Sequence, residues 1–468
     1  MLFNSSIFLL FIAVVLPLYG LARGSGAKKA LLVVASYVFY ANWDVRYLGL
    51  LWLSTAVDFY AARSIAGTED PGGRRRWLLV SLVTNLGVLG IFKYGNFVLG
   101  NFEPIFSALA WEPPRLPADI PVGISFYTFQ TLSYTIDVYR RRTEPVESLR
   151  DFALFVAFFP QLVAGPIVRA TQFFHQVREM KPLAADRFAS GFQRFVLGLF
   201  KKVVVADNLS LYVDTIFAAP DEFSALALWC GAFGFALQVY LDFSGYADMA
   251  IGLARVFGVE LPENFDAPYL ARSVTDFWRR WHMTMGAWLR DFVYIAAGGS
   301  RHGEVRTSFN LFLTMFVSGI WHGAAWTFIV WGMFHGVILA VERALGVGRK
   351  GRAPPAAGVA FGQWAFTFTL VSFALVMFRS EDFASMEVYV RRMFSAFEWL
   401  DNGESLGLRW VGVVFAWLGL QWVERRARLR ERVWDRWPGI AQGLVLAAML
   451  VLVTVFFVDE IQFVYFEF

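Results

Sequence analysis

The stretch SGIWHGAAWTFIVWGMFHG, residues 318–336, places two histidines among apolar and small residues. It lies in a longer apolar run, residues 308–345, which is long enough to cross the hydrocarbon core of a bilayer, about 30 Å thick. An ionisable side chain at that depth costs about 2.5–3.5 kcal/mol on insertion scales, so it usually faces the protein interior and has a partner there. The stretch therefore predicts a buried membrane segment in which His322 and His335 have a structural or a functional role.

The composition of the whole chain extends this prediction. Hydrophobic residues make up 57% of the 468 residues and charged residues 17%, whereas an average soluble domain is about 45–50% apolar and about 25% charged. We expect an all-α polytopic integral membrane protein with about 11–12 transmembrane helices, together with re-entrant or interfacial helices. The apolar runs lie near residues 4–22, 28–43, 47–62, 77–100, 192–217, 223–241, 308–345, 359–378, 408–423 and 439–458.

Lysine and arginine residues cluster between these runs, for example at residues 74–76, 140–142 and 425–436. The positive-inside rule assigns the clusters to the cytoplasm, which puts both chain termini on the outer side of the membrane. The clusters account for the net charge of +4, so the charge does not indicate a nucleic-acid partner. The first apolar run has no basic residue before it, which predicts a permanent helix rather than a cleaved signal peptide. The single cysteine, Cys230, excludes an internal disulfide.

Prolines, glycines and polar residues interrupt the apolar runs in the middle of the chain. Polar or non-helical backbone at membrane depth survives only when it is buried in protein or lines a wet cavity. We therefore expect one membrane-embedded domain over residues 1–468, with its functional site in the middle. Within that domain we assign N-terminal scaffold helices to residues 1–120, the core to residues 121–345, a cytoplasmic loop to residues 346–358 and C-terminal helices to residues 359–468.

The segment TDFWRRWHMTMGAWLRDFVYI, residues 275–295, has aromatic residues at helical intervals with arginines between them. This pattern predicts an amphipathic helix in the plane of the membrane interface. A plain membrane-surface anchor explains the pattern equally well, because tryptophan favours the headgroup level and arginine reaches water.

His322 is the polar residue that most needs an explanation. Gly319 and Gly323 flank it, and these small residues leave room for a substrate or for another backbone. A buried imidazole is pushed towards its neutral form, which can accept a proton from an attacking hydroxyl. The alternative is a structural histidine satisfied by its neighbours. His335 follows 13 residues later, on a different face if the helix is continuous, and we interpret it as structural.

Asp242 and Asp248 lie in another apolar segment, QVYLDFSGYADMA. A carboxylate there is able to hold a histidine in one tautomer, or it is an ordinary solvated group at a helix end. Asn310 has the same ambiguity, and His175 and His302 are expected in loops. The sequence has no HExxH, no CxxC and no histidine pair at i, i+4, so we expect no metal site. It also lacks the P-loop, GxGxxG and GxSxG motifs.

Five segments resemble motifs of the membrane-bound O-acyltransferase (MBOAT) family and occur in that family's order. The resemblance covers roughly residues 1–345, and it is strongest to the bacterial branch that contains the membrane subunit of alginate O-acetyltransferase. The segments are PVGISFYTFQTLSYTIDVYR (121–140), FFPQLVAGPIVR (158–169), LQVYLDFSGYADMAIGLARVFG (237–258), DFWRRWHMTMGAWLRDFVYIAAGGSR (276–301) and SGIWHGAAWTFIVWG (318–332).

The resemblance implies a ring of tilted helices around a thinned centre, with a funnel or pore that joins the two sides of the membrane. It matches His322 to the family's catalytic histidine and His282 to its second histidine. Supporting or substrate-binding roles are expected for Trp321, Asp242, Asp248, Arg279, Arg280, Arg290 and Asn310.

The resemblance also implies a reaction. An acetyl group passes from a cytoplasmic thioester, acetyl-CoA, to a hydroxyl on an exported, alginate-like polysaccharide or on a periplasmic partner protein that resembles SGNH hydrolases. His322 acts as general base, or forms an acyl-histidine intermediate, and no cofactor stays bound. The implied location is the bacterial inner membrane. The alternatives are a transporter or flippase that uses intramembrane His and Asp as a proton relay, although no internal repeat is visible, and a scaffold of an export complex.

Overall fold

The computed structural model describes residues 1–113, 116–117, 119–347, 355–395, 404–427, 434–458 and 463. These residues form helices joined by turns, without a β-strand among them, which confirms the all-α fold class. Most of the predicted cytoplasmic loop, residues 348–354, lies outside the described residues.

The first part of the chain alternates long helices with short ones. Its helices are α1 (Ser6–Leu21), α2 (Gly24–Ala41), α3 (Leu48–Ala66), α4 (Pro71–Leu89), α5 (Gly95–Asn101), α6 (Glu103–Ala108), α7 (Ile124–Tyr139), α8 (Leu149–Ala157), α9 (Phe159–Leu162), α10 (Ala170–Val177) and α11 (Ala185–Phe200).

The remaining helices include the longest one, α13. They are α12 (Asp207–Ala218), α13 (Ala225–Val256), α14 (Val274–Trp278), α15 (Met283–Leu289), α16 (Gly303–His322), α17 (Trp326–Ala344), α18 (Ala357–Arg379), α19 (Phe383–Met393), α20 (Glu404–Ala427) and α21 (Gly439–Val455). π-helical turns at Gly90–Tyr94, Lys201–Ala206 and Arg290–Tyr294 join or extend neighbouring helices.

Four helical segments of the described chain are long and apolar enough to cross a membrane: Pro71–Asn101, Ala225–Val256, Trp326–Ala344 and Ala357–Arg379. Two shorter apolar helices, Ser6–Leu21 and Gly439–Val455, come close to that length. The chain is therefore a multi-pass membrane protein. The total of 11–12 crossings and the orientation of the termini stay predictions.

The chain divides into two compact units, residues 1–195 with 246–262 and residues 196–245 with 263–468. The division by function along the sequence stays a prediction. In the first unit, aromatic rings such as Phe8, Phe39 and Phe159 form the buried centre. Its helices α3, α4 and α7 are joined by polar contacts, because the buried Asp58 carboxylate accepts hydrogen bonds from Ser81, Asn85 and Thr135.

In the second unit, the core is built on the first part of α13, α14, α17 and α18. It contains large rings that contact one another, among them Tyr269, Phe277, Trp281, Trp331 and Phe378. The candidate site lies inside this unit.

Three segments differ from the sequence predictions. Asp242 and Asp248 do not lie at a helix end, because α13 continues through both residues, and their carboxylates contact Lys202 and Arg194. The run 308–345 is two helices with a break at residues 323–325. His175, expected in a loop, lies in the last turn of α10.

The predicted amphipathic helix over residues 275–295 is also wrong as a single helix. It is divided into α14 and α15 by residues 279–282, and His282 has a backbone φ of +42°. That left-handed conformation costs energy for a residue with a side chain, so the surrounding contacts must enforce it. One of them is the hydrogen bond from the Met283 N–H to the Asn264 carbonyl oxygen, 2.9 Å.

Candidate active site

The hairpin of α16 and α17 positions His322. The two helix backbones touch at glycines: a Cβ atom at Gly332 would lie 2.5 Å from the carbonyl oxygen of Met315, and one at Gly319 would meet the carbonyl oxygen of Phe328. The sequence left open whether a substrate or a backbone fills the space beside Gly319, and the structure places the backbone of α17 there. His322 is the last residue of α16, where the chain turns into α17.

The His322 imidazole is 5% exposed and lies among aromatic rings. Its ring centre is 4.8 Å from Trp321, 5.0 Å from Trp331 and 5.0 Å from Phe378. These apolar walls keep bulk water away from most of the imidazole, and they restrict its orientation.

His282, at the break between α14 and α15, is 2% exposed. Its ring lies 4.7 Å from Phe243 and 5.9 Å from Trp321. Burial lowers the pKa of the His282 imidazole from 6.5 to about 3, because the charged form loses its hydration. His282 is therefore neutral at physiological pH.

One cavity of about 610 Å³ brings the two histidines together. His282 and His322 line the same cavity, although 40 positions separate them in sequence. Trp321 contacts both imidazoles, at 5.9 and 4.8 Å. A cavity of this size accommodates a group of substrate dimensions next to two imidazole side chains.

The cavity also carries positive charge. Arg279 and Arg290, both predicted, line it together with Arg343, for which the sequence predicted no role in the site. Arg290 contacts Asp291 at 2.9 Å, and Arg343 contacts Glu304 at 2.8 Å. Arg279 forms no ion pair with a residue that the structure describes, so its positive charge is not neutralised by one. Arg280 points to other partners, Asp276 at 2.9 Å and Asp266 at 4.0 Å.

A smaller cavity of about 20 Å³, which we call the annex, is also lined by His322. Trp278, Trp281 and His322 line both the annex and the large cavity. The annex is completed by residues that the sequence did not single out, Tyr269, Trp331 and Phe378, and by His335, interpreted there as structural. The break between α16 and α17 invalidates the helical-face argument that separated His335 from His322.

The other predicted residues lie elsewhere. Asp242 is 1% exposed and forms an ion pair with Lys202 at 2.8 Å, and Lys202 also contacts Asp207 at 2.6 Å. Asp248 belongs to the first unit, where it contacts Arg194 at 2.8 Å. Both carboxylates have arginine or lysine partners, which the sequence pattern did not reveal.

Asn310 is fully buried and holds a turn. Its Nδ2 donates to the Gly299 carbonyl oxygen at 2.8 Å, and Thr314 donates to the Asn310 carbonyl oxygen at 2.6 Å. Among the described residues, no group of three or more His, Cys, Asp or Glu side chains has an arrangement that would hold a metal ion.

The arrangement is suited to acyl transfer. A buried neutral imidazole accepts a proton from a hydroxyl, and guanidinium groups bind phosphates or carboxylates. The model of the membrane-bound O-acyltransferase family matches residues 115–378.

Three relatives extend the match. The chain is 42% identical to the probable alginate O-acetylase of Pseudomonas putida over 90% of this chain and 86% of that protein. It is 38% identical to the peptidoglycan O-acetyltransferase of Helicobacter pylori, covering 76% of this chain and 72% of that one. The teichoic acid D-alanyltransferase of Bacillus subtilis is 25% identical over 53% of this chain and 67% of its own length. The chain belongs to the membrane-bound O-acyltransferase family and is an O-acyltransferase.

Proposed function

We propose that the protein transfers an acetyl group from acetyl-CoA on the cytoplasmic side to a hydroxyl on an exported, alginate-like polysaccharide or on a periplasmic partner protein. The observation that carries the proposal is the single cavity lined by His282, His322 and arginines. Relatives named as alginate O-acetylases and a peptidoglycan O-acetyltransferase support an acetyl group and a glycan acceptor.

His322 acts as the general base. The acceptor oxygen attacks the thioester carbonyl carbon while the His322 imidazole takes the hydroxyl proton, which gives a tetrahedral intermediate. The intermediate expels the thiolate, and the imidazolium returns its proton to the sulfur. The products are the acetyl ester and free CoA. His282, neutral and buried in the same cavity wall, positions the reacting groups.

The arginines of the cavity bind the donor. Acetyl-CoA carries phosphates, and guanidinium groups bind phosphates through charge-assisted hydrogen bonds. Arg279 and Arg290 serve this role, and Arg343 joins them. Arg280 does not, since it contacts Asp276 instead.

The bacterial inner membrane is the location that fits this reaction, with both termini periplasmic. Acetyl-CoA is made in the cytoplasm, whereas exported glycans are modified outside. A periplasmic partner that resembles SGNH hydrolases receives the acetyl group on a serine or presents the polysaccharide.

The test compares the wild type with His322→Ala, purified in detergent and supplied with acetyl-CoA and unacetylated alginate. We expect the release of free CoA and the formation of acetyl ester to fall by about 10²–10⁴-fold, the usual contribution of a general base. His302→Ala is the matched control, since His302 lines neither cavity. Wild-type rates in His322→Ala would remove His322 from the mechanism.

The relatives give the transporter alternative no support.

A further inference from the structure

Trp331 has a buried donor that the mechanism above does not use. The side chain is 3% exposed, and its indole N–H has no acceptor among the residues that the structure describes. A buried hydrogen-bond donor left without a partner costs about 1–3 kcal/mol, so it calls for a specific explanation. The neighbouring Trp278 is different, because its indole N–H donates to His335 Nδ1 at 3.3 Å.

The position of Trp331 suggests what its N–H binds. Trp331 lines the annex, and its ring centre is 5.0 Å from that of His322 and 5.0 Å from that of His335. The annex holds roughly one water-sized group at about 20 Å³. The annex shares His322, Trp278 and Trp281 with the large cavity, so it borders the imidazole at which the acyl group would react.

The Trp331 ring is also fixed in place. It packs against Trp278 at 5.6 Å and Phe378 at 5.2 Å, and Trp278 is itself held by its hydrogen bond to His335. A donor that is already oriented costs little reorganisation when negative charge develops, and this is the property that makes an oxyanion site effective.

We propose that the Trp331 indole N–H is the oxyanion donor of the acyl transfer, an inference that rests on the proposed function. When the acceptor oxygen bonds to the thioester carbon, the carbonyl π electrons move to oxygen, and that oxyanion accepts the hydrogen bond from Trp331 Nε1. The hydroxyl proton goes to His322. When the carbonyl re-forms, the C–S bond breaks and the thiolate takes the proton back, so CoA and the ester leave with all atoms accounted for.

The test is Trp331→Phe, which keeps an aromatic ring and removes the N–H. We expect kcat for acetyl transfer to fall by about 10²–10³-fold, the loss measured when one oxyanion donor is removed, with the KM for acetyl-CoA unchanged within about threefold. Trp417→Phe is the matched control, because Trp417 also has a buried indole N–H without an acceptor among the described residues, but it lines neither cavity. That control is expected to keep the wild-type kcat.

A second substitution separates chemistry from packing. Incorporation of 3-benzothienylalanine at position 331 replaces the N–H by sulfur and preserves the bicyclic shape, so it decides the matter if Trp331→Phe does not fold. We expect the same loss of kcat with an unchanged melting temperature. A wild-type kcat in this variant, or an equal loss in Trp417→Phe, would overturn the inference. If the inference about Trp331 fails but His322→Ala is inactive in the same assay, the proposed function still holds. If His322→Ala is active, the proposed function itself is wrong.

Discussion

Individual side chains of the cavity differ mainly in burial and in pairing. His282 is almost completely buried, and its backbone is held in the left-handed region. Arg279 is exposed, while its neighbour Arg280 is occupied by Asp276. Such differences between adjacent residues are set by tertiary contacts, and each leads to a measurable consequence.

The pKa of His282 predicts how stability depends on pH. Its value in the folded protein is about 3, against 6.5 for the unperturbed side chain. Between these values the unfolded chain binds more protons at this position than the folded protein does, so the free energy of unfolding decreases as the pH falls below about 6.5. We expect the melting temperature of the wild type to fall more steeply between about pH 7 and pH 5 than that of His282→Gln. If the melting temperature depended on pH equally in the two proteins, this would contradict the burial of a neutral imidazole.

Arg279 and Arg280 are adjacent in sequence, but only Arg279 is proposed to bind the donor. Removing one charge-assisted hydrogen bond costs about 1.5–3 kcal/mol, so Arg279→Gln is expected to raise the KM for acetyl-CoA about tenfold or more. Arg280→Gln is the control and is expected to leave that KM within about twofold. Acetylpantetheine, which lacks the phosphates, should not distinguish Arg279→Gln from the wild type. A selective effect of Arg280→Gln would contradict the assignment.

Among the helices, sequence patterns located most of them. The patterns failed where contacts between residues far apart in sequence determine the structure. Runs of apolar residues placed α1, α18 and α21 within a few residues, because helices in lipid must satisfy their backbone groups locally. The break at His282 depends on Asn264, and the partner of Asp242 is Lys202, 40 positions earlier. No local periodicity carries either fact.

The glycine contact between α16 and α17 predicts an effect of added volume. In Gly319→Ala the new methyl group would meet the Phe328 carbonyl oxygen, so the helices must separate. Overpacking of this kind costs about 1–3 kcal/mol, and we expect a lower melting temperature and a loss of activity, since His322 follows in the same helix. Gly419→Ala is the control, because a Cβ there meets nothing within 4 Å. Equal melting temperatures for the two variants would show that the backbones do not touch.

The buried group of Lys202, Asp207 and Asp242 is expected to serve stability. Lys202→Met leaves two carboxylates without their ammonium partner, and breaking a buried pair in this way costs about 3–5 kcal/mol. The exposed pair of Arg46 and Asp44 is the comparison, because water screens such a pair, so Arg46→Met is expected to leave the melting temperature nearly unchanged. Thermal unfolding in detergent measures both. If Lys202→Met lost activity at an unchanged melting temperature, the group would belong to the chemistry instead.

At the scale of the whole molecule, composition was sufficient for the membrane class and the motif order for the family. Both are properties of long segments, and single contacts hardly affect them. The site was predictable only in part: His322, His282, Arg279 and Arg290 line the cavity as expected, whereas Trp331 and Phe378 were missed. Phe378 lies in α18, beyond the predicted core. Aromatic residues make up 18% of the chain, so the sequence does not single out one of them as part of the site.

We expect His322 to perform acyl transfer at a point that the donor reaches from one side of the membrane and the acceptor from the other. The most direct measurement uses sealed proteoliposomes, with radiolabelled acetyl-CoA enclosed and unacetylated alginate outside. The wild type is predicted to leave free CoA inside and labelled ester outside, and His322→Ala is predicted to yield neither. Labelled ester outside at the wild-type rate in His322→Ala would exclude this role of His322. A wild-type reaction that requires donor and acceptor on the same side would exclude transfer across the membrane.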